Sequence, residues 1–450
     1  MVAVASFDVL VLGGGPAGLA CALTLRRHGK RSVAVVERTG YAAPRIGETL
    51  SPGLRGTLEY LGVWDGFTAD GHRRAFGTAA AWGSTTLATR DFMLTPFGTA
   101  WHLDRQRFDA TLAQEAEAIG VVVLREAKAT VHPLDGGWQA RLRGGECEGE
   151  LEARILVDAT GKAAGASRQA GARHHVLDRM VAVAATVPFP AGLEDEAVTL
   201  VETFAEGWWY SARLPGSAMM VALMTDPDRV KKHGWTDPAR WWALLRAQPH
   251  HAARFDKVAG PTSPPRTFPA FSSCLSPVAG ENWVAVGDAA CCQDPLSGSG
   301  IARALDTGIQ AARAIDARLR TGQANALTAY AKWVADGFAR YWTTRLAYYA
   351  MERRWAESPF WRRRQPDLTL QPHDTLAWND AAVPATEEVP DPIIDQALLA
   401  RLCATPAPAH EIVRRYMAQA AVPVPDIEII LMMQRLLQRQ VLCVGASSAV

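Results

Sequence analysis

Two hydrophobic rhythms run along the chain, and the points where one gives way to the other mark its elements. Phe7 to Leu12 is a short unbroken apolar run, the pattern of a strand covered on both faces. It passes directly into Gly13-Gly14-Gly15-Pro16-Ala17-Gly18, after which an alanine- and leucine-rich stretch predicts a helix closing near His28-Gly29. Ser32 to Val36 predict a second strand, ending in Glu37-Arg38. Asp104 is placed to cap a helix over Arg105 to Ile119, and Val121 to Leu124, Trp138 to Leu142 and Ala153 to Val157 predict more strands. The last of these runs into Asp158-Ala159-Thr160-Gly161. Trp283 to Val286 repeats the apolar strand pattern and closes in Gly287-Asp288. A loop bearing Pro295, Gly298, Ser299 and Gly300 then leads into a helix that begins near Ile301.

A period of two interrupts this alternation of strand and helix. Phe76 to Phe97 predicts short strands outside the first layer, and Val181 to Met224 holds four strand-like runs separated by Pro, Gly and acidic breaks. These predict a large antiparallel sheet, in which alternation sends Trp208 and Tyr210 to one face and Trp209 to the other. Asp237 to Gln248 predicts a short helix. Residues 324–361 read as helical, aromatic and arginine-bearing; residues 365–400 read as an acidic, proline-broken linker; Glu411 to Met417 and Ile427 to Val444 read as closing helices. The fold class this predicts is α/β. A Rossmann-like nucleotide domain is assembled from 1–75, 101–175 and 280–335, an antiparallel β-sheet domain is inserted as 76–100 and 176–279, and a helical region follows over 336–450.

Composition changes the picture little. Lys+Arg 47 against Asp+Glu 46 leaves a net charge of +1, so no global field selects nucleic acid or an anionic membrane. Seven cysteines, an odd number without metal-ligand spacing, predict neither a disulfide framework nor a metal site and suit a reducing cytoplasm. No apolar run is long enough to span a membrane, and Asp8 interrupts what would be the core of a signal peptide. Fifteen tryptophans either pack an ordinary core or line an aromatic site.

The motifs carry the chemistry. Gly13 permits a tight turn, Gly15 lets a pyrophosphate lie on the amides at the helix start with Pro16 and Ala17, and Gly18 lets helix and strand pack closely. Glu37, at the end of the second strand with Arg38 beside it, is placed to accept both hydroxyls of an adenosine ribose. Strand, glycines, helix, strand and terminal Glu in this order predict a dinucleotide site. The loop from Arg45 to Pro52, with Gly47, Glu48 and Thr49, either swings back over the cofactor or starts a helix capped by Ser51. Arg105 or Gln106 is placed to reach the cofactor from the first turn of the helix after Asp104. Asp158 either meets the cofactor or closes a surface turn. Asp288 is read as a buried carboxylate that takes a polyol hydroxyl, and Gly298, Ser299, Gly300 and Ile301 as a backbone cradle for a planar ligand.

With these motifs in order, residues 5–335 resemble the flavoprotein monooxygenases, closest to the tryptophan-halogenase-like branch and p-hydroxybenzoate-hydroxylase-like in fold. The resemblance implies FAD between the nucleotide domain and the inserted sheet, with O2 as co-substrate. With no second GxGxxG, reducing equivalents would come from NAD(P)H visiting transiently or from a separate flavin reductase. Halogenases of this branch carry an early catalytic lysine, yet no lysine lies between Lys30 and Lys128, and Ser297 stands where their flavin loop has a glutamate. The resemblance therefore implies hydroxylation of an aromatic ring through a flavin C4a-hydroperoxide. Pro295 lies near the reacting face, Glu48 is the candidate base, and Trp208 and Tyr210 contact substrate. The chain also resembles maturation flavoproteins that hydroxylate a tryptophan inside another protein during tryptophylquinone formation, which implies a tryptophan-bearing protein substrate. A small-molecule aromatic hydroxylase, an isoprenoid-reducing flavoprotein, a halogenase and a non-enzymatic flavin-binding module are the alternatives.

Overall fold

The computed structural model describes residues 5–42, 45–92, 96–145, 148–190, 197–323, 325–365, 370–379, 394–420, 424, 426–438 and 441–444. The chain divides into two compact units: Met1–Ala331 with Met351–Trp361, and Lys332–Ala350 with Arg362–Val450.

Five parallel strands form the first layer of the larger unit. Val122–Leu124, Val33–Val36, Ala5–Leu12 and Gly149–Asp158 lie side by side in that order, and Trp283–Ala285 joins the far end of Gly149–Asp158. Val9, Leu10, Val11, Ala34, Val35 and Val157 are wholly buried, as strands covered on both faces require. Gly137–Arg143 and Lys128–Leu134 extend the sheet antiparallel. The second of these two escapes the sequence reading because only Val131 in it is buried, so its apolar alternation is thin. Helices Pro16–Arg27 and Gly300–Thr321 pack together over this sheet. Gly308 permits their approach, since a Cβ there would lie 2.3 Å from the Ala17 carbonyl oxygen.

The inserted sheet has seven strands in the order Arg266–Pro269, Val181–Pro188, Ala218–Thr225, Gly207–Arg213, Val198–Phe204, Gly77–Ala81 and Ala88–Asp91. It is not wholly antiparallel: Gly77–Ala81 runs parallel to Val198–Phe204. These two strands come from separate stretches of chain, and no hairpin obliges them to oppose. Alternation holds through Gly207–Arg213. Trp209 turns to the face packed by Trp241, Val183, Leu223 and Phe255, whereas Trp208 meets Trp82 on the other. On the Trp209 face, Glu202 accepts bonds from the backbone N–H groups of His250 (3.0 Å) and His251 (2.9 Å), where the short helix Pro249–Arg254 starts.

In the smaller unit, Leu376, Leu398, Leu399, Ile412, Tyr416 and Met432 share a core. Residues 370–379 are not linker: Thr375–Trp378 is the central strand between Ala407–Pro408 and Leu442–Val444. Helix Gln396–Cys403 likewise replaces the end of the expected linker, whose residues 366–369 and 380–393 lie outside the described residues. The last helix stops at Gln438 instead of running to Val444. Helix Asn325–Ala350 ends well before Trp361, and residue 324 lies outside the described residues. Beyond Ala350 the chain turns. Glu352 there accepts from Thr203 Oγ1 (2.8 Å), from the Gly83 amide (3.0 Å) and from Arg354, bonds that tie the segment to the inserted sheet.

Candidate FAD site

The glycine loop is built as its spacing requires. A Cβ on Gly13, whose φ is +109°, would strike the Ala159 carbonyl oxygen at 2.2 Å; one on Gly18 would strike the Gly13 carbonyl oxygen at 2.0 Å. Gly15 differs, because a Cβ there would meet nothing within 4 Å. It faces open space at the start of helix Pro16–Arg27, where no side chain caps the first turn and no acid sits in it. Glu37 is buried at the end of its strand. Its Oε2 accepts the Gly14 amide at 2.8 Å, and its Oε1 accepts the Thr39 amide (3.0 Å), the Thr39 hydroxyl (2.6 Å) and Arg45 (3.2 Å). The expectation of two ribose hydroxyls is therefore corrected: Oε1 is already saturated, and Oε2 keeps room for one bond. Arg38 beside it is exposed. Sequence reasoning missed Tyr41, whose hydroxyl donates to the Gly14 carbonyl at 2.9 Å from beneath the loop; an aromatic residue four positions after a strand carries no motif.

The second glycine loop also faces open space. Cβ atoms on Gly298 and Gly300 would meet nothing within 4 Å, and helix Gly300–Thr321 starts after Ser299 with neither a side-chain cap nor an acid in its first turn. The Ser299 hydroxyl bonds Gln293 (3.1 Å) and Ser297 (3.0 Å), Ile301 is buried, and Pro295 opens the turn that Asp294 stabilises through the Leu296 amide. Asp288 is not the buried carboxylate expected. Its side chain is 37% exposed and pairs with Arg303 at 2.7 Å. Arg303 lies one turn into the helix, and no spacing rule announces it; it also donates to the carbonyls of Gly287 and Cys291. One Asp288 oxygen is thus held and the other is open toward solvent. Asp158 closes a turn: it is buried and accepts from Thr160 (amide 3.0 Å, hydroxyl 2.6 Å) and the Ser167 amide (2.7 Å). Its neighbour Ala159 is the wall against which Gly13 packs. Burial pushes the Cys291 thiol up to about 11 and the Cys292 thiol to about 12, so both are uncharged near neutral pH.

The loop after the second strand is pinned between the two sheets. Arg105 donates to the carbonyls of Ile46 and Gly47, each at 2.9 Å, and pairs with buried Asp109, so its guanidinium holds the loop and is not free to reach out as expected. Arg45 bonds the same Asp109 at 2.8 Å. Gly47, with φ +96°, aims its amide at Glu48 Oε2 (3.0 Å). Ser51 caps no helix; the next one, Arg55–Leu61, begins after Leu54. Two residues of this loop meet the inserted sheet. The Thr49 hydroxyl and the Tyr210 hydroxyl lie 2.6 Å apart, and Tyr210 also bonds the Glu48 carboxyl. Burial raises Glu48 above the usual carboxylate range, against the pull of its bonds from Tyr210 and the Gly47 amide. Burial and the Glu48 charge together hold Tyr210 well above an ordinary phenol. The fold therefore brings Glu48, Thr49 and Tyr210 into one cluster and leaves Trp208 buried against Trp82 on the same face.

Three other helix starts are covered by a side chain: Asp104, Asp237 and Asp395 each accept amides of the helix they precede. At the two glycine loops, long helices of the nucleotide layer present bare N–H groups to open space, one suited to a pyrophosphate and the other to the electron-rich edge of an isoalloxazine. The residues fit FAD. Consistent with this, residues 6–337 match the FAD-binding-domain family, and the chain belongs to it, within the tryptophan-halogenase-like flavoproteins. It is an FAD-dependent oxidoreductase. A Marinomonas mediterranea protein named as FAD-dependent oxidoreductase LodB is 30% identical over 373 residues, which span 81% of this chain and 99% of LodB. The flavin-dependent halogenase CmlS superposes with a TM-score of 0.72 at 20% identity, over 98% of this chain and 96% of its own. The peptidyl tryptophan dihydroxylase QhpG, described as essential for tryptophylquinone cofactor biogenesis, superposes at 0.64 and 22%, over 97% of this chain and 99% of its own. At such identities the two structures share the fold with this chain.

Proposed function

We propose that this flavoprotein hydroxylates an aromatic ring, and that the ring is a tryptophan side chain carried by another protein. The observation that carries the hydroxylation is the cluster of Glu48, Thr49 and Tyr210 where the flavin-side loop meets the inserted sheet. Adding oxygen to an aromatic carbon leaves a ring proton to be removed, and this cluster is built to take one. Tyr210 presents a phenol toward the ring, Glu48 accepts through it, and Thr49 fixes the phenol's orientation. Bound FAD, reduced by NAD(P)H or a separate reductase, supplies the activation of O2. The chain's own part is to hold the ring, keep water out and move that proton.

Halogenase and hydroxylase share the fold, so residues must separate them. Halogenases of the branch this chain resembles carry an early catalytic lysine, and no lysine lies between Lys30 and Lys128, the stretch that contributes the flavin-side loop. A macromolecular substrate is the reading suggested by the likeness to QhpG, a peptidyl tryptophan dihydroxylase, over 97% of this chain. The experiment is mass spectrometry of candidate protein substrates after incubation with reduced enzyme and O2, with free tryptophan, small aromatics and bromide in parallel. A gain of one or two oxygens on a protein tryptophan is the expected result. Efficient conversion of a free aromatic with no protein product would replace the protein substrate by a small one, and a brominated product would overturn hydroxylation.

A further inference from the structure

Five aromatic side chains run from the Glu48 cluster to the edge of the larger unit, and the reaction uses only the first of them. Tyr210 and Trp208 stand two residues apart on one face of the same strand, about 7 Å along it. The Trp208 ring meets Trp82 with centroids 6.0 Å apart; Trp82 meets Trp361 at 5.5 Å; Trp361 meets Trp355 at 6.2 Å. The series has Trp208 and Trp361 fully buried and Trp82 between them half-exposed. Its far end is half-exposed: Trp355 lies with the Arg354 guanidinium 4.3 Å over its ring. Its near end has a proton acceptor, the Glu48 carboxyl on the Tyr210 hydroxyl. The indole NH of Trp361 is held by the Phe204 carbonyl at 2.9 Å, which fixes the ring between its two neighbours. Packing alone does not require four tryptophans in file, when aliphatic side chains fill such space without a polar NH to satisfy.

We propose that Tyr210, Trp208, Trp82, Trp361 and Trp355 form an electron path that drains one-electron oxidation from the site to the protein surface. The need arises when O2 is activated without substrate: the H2O2 released takes one electron from reduced flavin and one proton, giving water and, beside Tyr210, a hydroxyl radical, which is a one-electron oxidant. That oxidant takes one electron from Tyr210 and is reduced, while the phenolic proton passes to Glu48. Trp208 returns an electron to the tyrosyl radical, which regains its proton from Glu48. Trp82, Trp361 and Trp355 then each supply one electron inward in turn, so that the vacancy comes to rest on Trp355. Trp355 loses its Nε1 proton to water. It is restored by one electron from a soluble reductant of the ascorbate class with a proton from water, or else it adds O2 and is damaged in place of the site. The path rests on where the site lies and not on which substrate it takes.

The test follows the chain's own residues by peptide mass spectrometry. FAD-loaded protein is reduced and exposed to O2 with no substrate, and oxygen additions are located with and without ascorbate. In the unmodified protein they concentrate on Trp355, and ascorbate suppresses them there. In Trp361→Phe, which keeps an aromatic ring but breaks the series, they move inward to Trp82, Trp208 and Tyr210 by several-fold. In Trp355→Phe, a half-exposed and structurally mild change, they move to Trp361. Trp333, 38% exposed and outside the series, is the control. An unchanged distribution in both variants, or oxidation that follows exposure and is strongest at Trp333, overturns the path. Failure of the protein-substrate reading would leave these outcomes unmoved.

Discussion

Glu48 and Glu202 are both buried carboxyls, and their neighbours send them in opposite directions. Burial holds Glu48 above the usual carboxylate range, so the folded state keeps a proton that the unfolded state has released once pH passes 4.5. Stability from this group therefore falls as pH rises through the window between 4.5 and the raised folded value. Glu48→Gln should flatten that part of the profile of melting temperature against pH, and it should lower the hydroxylation rate by roughly 10²–10⁴-fold, the range for loss of a proton acceptor. A rate within a few-fold of the parent would remove Glu48 from the reaction. Glu202 shows the reverse. Burial raises it, but the bonds from the His251 ring (2.8 Å) and the two amides outweigh burial and hold it below its usual value. His251, buried beside it, is held below 6.5, chiefly by burial. Both shifts are downward, so both contributions are whole above the ordinary values and are lost on acidification, from His251 below 6.5 and from Glu202 below 4.5. In His251→Phe the fall in melting temperature between pH 7.5 and 5.5 should shrink; an equal fall in both proteins would locate the acid sensitivity elsewhere. Neither carboxyl could be ranked from sequence, because what decides each exists only in the fold: burial for Glu48, and the distant His250-His251 turn for Glu202.

At the scale of elements, the two glycine loops divide their labour between fold and ligand. A Cβ on Gly13 or Gly18 would strike a backbone carbonyl oxygen, so substitution there breaks the contact of strand and helix. Gly15 faces open space, which makes it a ligand position only. The expected outcome is that Gly15→Ala folds with the melting temperature of the parent apoprotein but binds FAD at least tenfold more weakly, whereas Gly13→Ala loses several degrees with or without FAD. Titration of apoprotein with FAD, followed by flavin fluorescence, separates the two. Equal FAD affinity in Gly15→Ala would show that the pyrophosphate does not lie there. The motif was legible because its requirements are local: a strand end, a turn and a helix start within a dozen residues. Asp288 shows the limit. A carboxylate after a buried strand looks buried by pattern, but Arg303 from the following helix draws it to the rim.

At the scale of the whole molecule, the two units have separate cores, and only one of them contains the glycine loops and the Glu48 cluster. Calorimetry should accordingly resolve two transitions, of which only the larger responds to FAD, gaining about 2.7 kcal/mol at a free concentration one hundred times Kd. A single transition moving as one with FAD would show the units to be thermodynamically inseparable. Among the described residues, no helix is long and apolar enough to cross a membrane.

From sequence alone came what neighbours along the chain decide. The parallel strands, the glycine loops and their helices, the Asp104 cap and the alternation of Trp208, Trp209 and Tyr210 all depend on periodicity or on contacts within one turn. Tertiary structure decided what depends on meetings between residues far apart in the chain. It made Gly77–Ala81 parallel to its neighbour, turned residues 375–378 from linker into a central strand, gave Arg105 to the loop, and set the phenol of Tyr210 against a loop more than 150 residues earlier. The reason is physical. Helix and strand periods follow from bonds between near neighbours, whereas the charge state of a buried carboxyl or the partner of an arginine follows from burial and distance, which exist only once the chain has folded.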